Sequence, residues 1–239
     1  MFICFFSLIL IFSQGIQASS EQNLILSART GNGKGVISAL QSGADINYSD
    51  NEKKTALIYA VEFHKNQILK LLILKKADLS VKNQNGDSIL HIAARNGNFE
   101  SVKILMEFDI PVNEKNHQEA TPLMIASERG FTEIVSYFIE KDVLINEKDV
   151  YGYTALCMAS AGNHHEIVKI LLENGANINQ GSEDGNTPLM IAAMTGSKEA
   201  AEILIQLGAK QEEQNKKGFT ALKWAESQGH EELVRLLKN

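Results

Sequence analysis

Between Tyr153 and Asn179 the apolar and polar positions follow a helical period, break, and follow it again. Thr154 can accept from backbone N–H groups and cap a helix, and Ala155, Leu156, Met158 and Ala159 follow at helical spacing. Gly162 and Asn163 interrupt that helix. A second stretch opens at Glu166 and lines up Ile167, Val168, Ile170, Leu171 and Leu172 as an apolar stripe. Asn174-Gly175 closes it, and Gly175 suits the left-handed position that follows a helix. The stretch reads as a helix pair ending in a polar turn. Such a pair cannot bury its own apolar faces, so it needs neighbours.

The neighbours are written into the chain at one spacing. Steps of 33 residues from Thr154 land on Gln22, Thr55, Ser88, Thr121, Thr187 and Thr220. Two residues past each start stands a leucine, from Leu24 to Leu222. Five past each start stands Ser27 or an alanine (Ala60, Ala93, Ala126, Ala159, Ala192, Ala225). Seven units fit without insertion or deletion. The segments TPLMIASERG from Thr121, TPLMIAAMTG from Thr187, LENGANIN from Leu172 and SGADIN from Ser42 carry the 33-residue signature of ankyrin repeats. The chain resembles an ankyrin-repeat protein over residues 20–239, with repeats starting near 22, 55, 88, 121, 154, 187 and 220. The resemblance implies an all-α fold, an ankyrin-repeat solenoid of helix pairs linked by short β-hairpin-like turns. It also implies a protein-binding scaffold that uses hairpin tips and the exposed edge of the first helices, and no catalysis.

Residues 1–18 stand apart from the repeats. Phe2 to Phe12 is a nearly unbroken apolar run, Ala18-Ser19-Ser20 follows, and no charged side chain precedes Glu21. The run is too short to span a bilayer, which takes about 20 apolar residues, and it matches a signal peptide with cleavage near Ala18. Its n-region has no Lys or Arg. The alternative is retention, with the segment packed on the first repeat or serving as a short anchor. At the other end, polar Glu226 and Gln228 suit a closing repeat, so the array is expected to end there.

Composition narrows the chemistry. Net charge is −6 and both signs are mixed along the chain, which argues against a nucleic-acid footprint. Cys4 and Cys157 are the two cysteines, so no disulfide framework is expected, and Cys157 is expected to be a semi-buried, inert thiol. His164 and His165 are adjacent on one helix and diverge; no third and fourth ligands match them, and no metal or cofactor is expected. The string GNGKG at Gly31 lacks phosphate-loop spacing and reads as a turn between helices. Asn47-Tyr48-Ser49 is a sequon, relevant only in a eukaryotic secretory route. A lysine column, Lys82, Lys115 and Lys148, is offset by Glu114 and Glu147 and reads as a solvated face.

Three corners depart from the glycine of Gly43, Gly175 and Gly208: Lys76, Asp109 and Asp142. Each is expected to cost ~1 kcal/mol if its backbone is left-handed, most clearly at Lys76. Among the residues at the His position of T-P-L-H, only His91 keeps the family's histidine. That departure implies that cohesion between repeats rests mainly on apolar packing.

One hairpin tip breaks a polar column. Where other tips carry Asn51 and Glu52, Gln84 and Asn85, His117 and Gln118, Glu183 and Asp184, or Lys216 and Lys217, this one carries Val150 and Tyr151, with Tyr153 close behind. The next first helix ends in Ala161 and Gly162, expected to leave a hollow beside the aromatics. Glu128 and Arg129 would flank it on one side, and Met194 and Thr195 on the other. Tyr153 has a second reading, as a residue packed on the adjacent hairpin like Phe219. The expected function is a monomeric, non-enzymatic scaffold, adaptor or inhibitor with a protein partner, periplasmic or secreted. A secreted host-directed effector is the alternative, and a retained N-terminal segment would leave the chain cytoplasmic or membrane-anchored.

Overall fold

The computed structural model describes residues 19–141 and 143–238; the leader expected over residues 1–18 and the corner at Asp142 lie outside them. Among the described residues there are fourteen helices and no strand, only two isolated bridges, Ser49 with Thr55 and Lys82 with Ser88. The chain divides into two compact units, one up to Asp78 and one from Leu79 onward. The first holds α1 (Ser20–Thr30), α2 (Gly33–Gln41), α3 (Ala56–Glu62) and α4 (Asn66–Leu74). The second holds α5 (Ile89–Arg95), α6 (Phe99–Leu105), α7 (Pro122–Arg129), α8 (Thr132–Ile139) and α9 (Ala155–Ala161). It continues with α10 (His165–Glu173), α11 (Pro188–Thr195), α12 (Lys198–Gln206), α13 (Ala221–Gln228) and α14 (Glu231–Leu237). The fold class is the expected one, an all-α repeat of helix pairs.

Local chemistry starts and stops these helices. Thr55, Thr121, Thr154, Thr187 and Thr220 each accept from the backbone N–H three residues on, and Pro122 and Pro188 occupy the first turn, where a missing N–H is harmless. Between the two helices of a pair the backbone turns left-handed at Gly31, Gly97, Gly130, Gly196 and Gly229, and also at His64 and Asn163. Of GNGKG, only Gly31 and Asn32 make the turn between α1 and α2; Gly33, Lys34 and Gly35 already form the first turn of α2.

The corners after the second helices correct one expectation. Lys76 is left-handed, with φ 64°, like Gly43, Gly175 and Gly208. Asp109 is not. There α6 stops at Leu105, two residues shorter than α4, α10 and α12. The chain leaves through Phe108 N–H to Leu105 O and Ile110 N–H to Phe108 O, then Pro111. Ending the helix early removes the need for the left-handed residue.

Six members of the leucine column are buried (Leu24, Leu57, Leu90, Leu123, Leu156 and Leu189) and Leu222 is half-buried; the second helices add Leu69 and Leu72 in the first unit and Leu105, Leu171 and Leu204 in the second. Full burial of one such side chain is worth about 1.5–3 kcal/mol, so stacking supplies most of the cohesion. In the second unit α9 packs between α7 and α11. Cys157 is buried, and that burial pushes its thiol up, as expected of an inert cysteine.

Polar bonds between pairs are nevertheless regular and add to this mainly apolar cohesion. His91 Nδ1 faces the Ser88 hydroxyl and N–H, and Nε2 donates to Ala120 O of the next pair at 2.9 Å. An asparagine ladder adds to it. Asn113, Asn146 and Asn179 accept through Oδ1 from Leu144, Asn177 and Lys210 N–H at 2.8–3.0 Å. Asn47 does the same for Asp78 in the first unit. The lysine column is ion-paired along the chain, Lys82 with Glu114 at 2.6 Å and Lys115 with Glu147 at 2.9 Å.

Candidate functional site

Six hairpin tips share one device. Asp50, Asn83, Asn116, Asp149 and Asn215 each accept through Oδ1 from the N–H groups two and four residues on; Ser182 uses its hydroxyl for Asn186. The side chain thereby adds to the backbone bond that each of these residues also makes, from its own N–H to the carbonyl four residues on. In the second unit the tips are also strung together. His117 N–H donates to Asn85 O, Val150 to Gln118 O, Glu183 to Tyr151 O and Lys216 to Asp184 O, at 2.8–3.1 Å.

The tip from Asp149 to Tyr153 is thus held on both sides, by Val150 N–H and by Tyr151 O. A Cβ on Gly152 would lie 2.6 Å from Glu183 N, so glycine is what permits this close approach. On that fixed backbone Val150 and Tyr151 are 45% and 61% exposed. Tyr153 is half-buried, its ring 6.5 Å from that of Tyr151, and burial raises its phenol above the ordinary value. Tyr153 is therefore partly packed inward, beside Tyr151.

The hollow expected beside the aromatics is not there. Ala161 and Gly162 lie at the far end of α9, whose seven residues span about 10 Å. The His164 ring fills the space at Gly162, where a Cβ would lie 2.5 Å from its Nε2. Glu128, Arg129, Ala161 and Thr195 are exposed, and Met194 is half-buried. They form a separate row tied by the next pair's side chains: His164 Nε2 to Glu128 O, Ser197 Oγ to Ala161 O and His230 Nε2 to Met194 O, at 3.0–3.2 Å. The small residues make room for these contacts, so their purpose is packing. The repeat columns of His164, Ser197 and His230 were the available signal.

The first unit adds a feature the sequence reading passed over, a surface hollow of about 260 Å³ floored by Ile25 and Leu26 and edged by Arg29, Tyr48 and Asp50. Among the described residues no group of three or more His, Cys, Asp or Glu could hold a metal, and no helix is long and apolar enough to cross a membrane.

The family model described as "Ankyrin repeats (3 copies)" matches residues 24–116, 108–182 and 178–239. The chain belongs to the ankyrin-repeat family. Ankyrin repeats are protein–protein interaction modules, typically without enzymatic activity. The crystal structure of the human ASB11 ankyrin repeat domain is similar to this chain at a TM-score of 0.81. The two are 25% identical, and the alignment covers 90% of this chain and 97% of that one. In this ankyrin array the Val150–Tyr151–Tyr153 tip is the exposed aromatic point on an otherwise polar row of tips.

Proposed function

We propose that this ankyrin-repeat chain is a seven-repeat, non-enzymatic adaptor that grips a protein partner through the Val150–Tyr151–Tyr153 tip, and that it acts outside the cytoplasm. One observation carries the binding reading: two large apolar side chains stand exposed on a backbone fixed by Gln118, Gly152 and Glu183. A rigid aromatic loses little side-chain freedom on docking, and such residues supply most interface hot spots. The leader-like sequence of residues 1–18 supports the location.

Affinity capture with the native chain, followed by mass spectrometry, identifies the partner. Val150→Ser with Tyr151→Ala is then expected to weaken the isolated complex at least ~10-fold, because truncating one buried aromatic anchor costs ~2 kcal/mol or more. The helical circular-dichroism signal is expected to stay unchanged. Wild-type affinity in the double variant would place the interface elsewhere. Recovery of the chain in periplasm rather than in medium or target cells would favour the scaffold over a host-directed effector.

A further inference from the structure

The second helices of the first unit differ in charge from all the others. From Gly33 to Ala44 and from His64 to Ala77 there is not one carboxylate, while Lys34, Lys65, Lys70, Lys75 and Lys76 fall within those stretches. The next acidic residues, Asp45 and Asp78, lie past the corners. In the second unit every second helix has a glutamate in its first turn: Glu100, Glu133, Glu166, Glu199 and Glu231. Residues 79–239 carry 23 acidic against 15 basic side chains, whereas residues 1–78 carry 6 against 8.

Two apolar side chains stand out on this basic side. Leu74, at the end of α4, is 79% exposed, more than any other large apolar residue described, and Ile37 on α2 is 40% exposed. The 33-residue columns show that neither the leucine nor its neighbour serves the fold. Gln41, Glu107, Glu140, Glu173 and Gln206 occupy the place of Leu74, and Gly43, Gly175 and Gly208 the place of Lys76. Lys76 is held left-handed at φ 64°, a conformation in which a lysine is strained and glycine is not. A leucine in water next to a strained lysine marks a surface kept for contact.

We infer that this side of the first unit docks on an anionic phospholipid surface, with Lys34, Lys75 and Lys76 meeting headgroup phosphates and Leu74 entering the interfacial layer. The chemistry favours a lipid occupant. Long lysine stems spread over phosphates without a shaped pocket, and a single protruding leucine suits insertion. An acidic protein, or the acidic second unit of another copy, is the competing occupant.

The test is co-sedimentation of the full chain with phosphatidylcholine vesicles, with and without phosphatidylglycerol. Binding through the uncharged Phe2–Phe12 run would be indifferent to lipid charge, so preference for the anionic vesicles reads the patch. That preference is expected to fall with added salt. It is also expected to fall at least ~10-fold in the variant Leu74→Gln, Lys75→Ser, Lys76→Gly, since each lysine near an anionic bilayer is worth about fivefold in partition. The variant installs the corner Gln41-Ser42-Gly43 of the first pair, so its thermal midpoint is expected to be no lower than wild type. The Val150→Ser, Tyr151→Ala variant is expected to bind vesicles like wild type, which separates this site from the protein-binding tip. Equal binding to both vesicle types, or wild-type preference in the triple variant, would overturn the inference. So would self-association or polyglutamate binding that the triple variant abolishes while vesicle preference is absent.

Discussion

At Lys76 a single side chain opposes its own backbone. Its φ of 64° is left-handed, and replacing a β-carbon-bearing residue there by glycine removes strain of up to ~1 kcal/mol. Lys76→Gly is expected to raise the urea midpoint accordingly. Asp109→Gly is expected to give no such gain, because that corner was rebuilt by ending α6 at Leu105. His91 offers a pH-dependent counterpart. Burial lowers its pKa below the ordinary 6.5, offset in part by the Ala120 carbonyl and by Asp87 and Glu114, with Arg95 adding to the lowering. The folded state therefore prefers the neutral ring, whose Nδ1 accepts from the Ser88 N–H. Its stabilisation is fully present above about pH 6.5 and is lost as pH falls through the lowered value. Unfolding measured from about pH 7.5 down to about pH 5 is expected to show a shallower decline in His91→Met than in wild type. Methionine already stands in that column at Met124 and Met190. Equal slopes would show that other groups govern the acid response.

The hairpin tips behave as elements with their own geometry. Each is closed by a side-chain oxygen and, in the second unit, joined to the next by one backbone bond. Gly152 is the joint with the closest backbone neighbour, since an added Cβ meets Glu183 N at 2.6 Å on a backbone already at φ 77°. Gly175 has a similar φ of 92° and open space around it. Gly152→Ala is therefore expected to cost clearly more than the ~1 kcal/mol of Gly175→Ala, which pays only for left-handed alanine. It is also expected to speed hydrogen exchange at the Glu183 amide. Matching destabilisation in the two variants would mean that the tip relaxes freely and that Tyr151 is not rigidly presented.

For the molecule as a whole, stacked pairs make stability a sum of nearest-neighbour terms, so the array tolerates weak pairs without losing its fold. The charge difference between the units gives them separate surfaces, basic and apolar in the first, acidic with an aromatic tip in the second. Location is the remaining whole-chain property, and it turns on residues 1–18. Intact mass of the native protein is expected to correspond to a chain starting near Ser19; a mass that includes Met1 would refute export by cleavage.

The repeat period, the Thr caps, the Pro at helix starts and most glycine turns were legible in the sequence because each rests on interactions within a few residues of one another. Repetition then multiplied a weak local signal into a fold class. The exposed tip at Val150 and Tyr151 was legible for the same reason, as a break in a column. Other features needed the neighbouring pair in place. The small side chains of Ala161 and Gly162 suggested a hollow, yet the His164 ring from the next helix occupies that space, and α9 separates it from Tyr151. Asn113, Asn146 and Asn179 repeat at the 33-residue period, but that their oxygens accept from N–H groups 31 residues away shows only once the pairs stack. The corner at Asp109 lost its left-handed turn, and Leu74 emerged as the most exposed of its kind. Contact distance, exposure and the reach of a side chain across pairs depend on how separate segments pack, and only the tertiary structure fixes that.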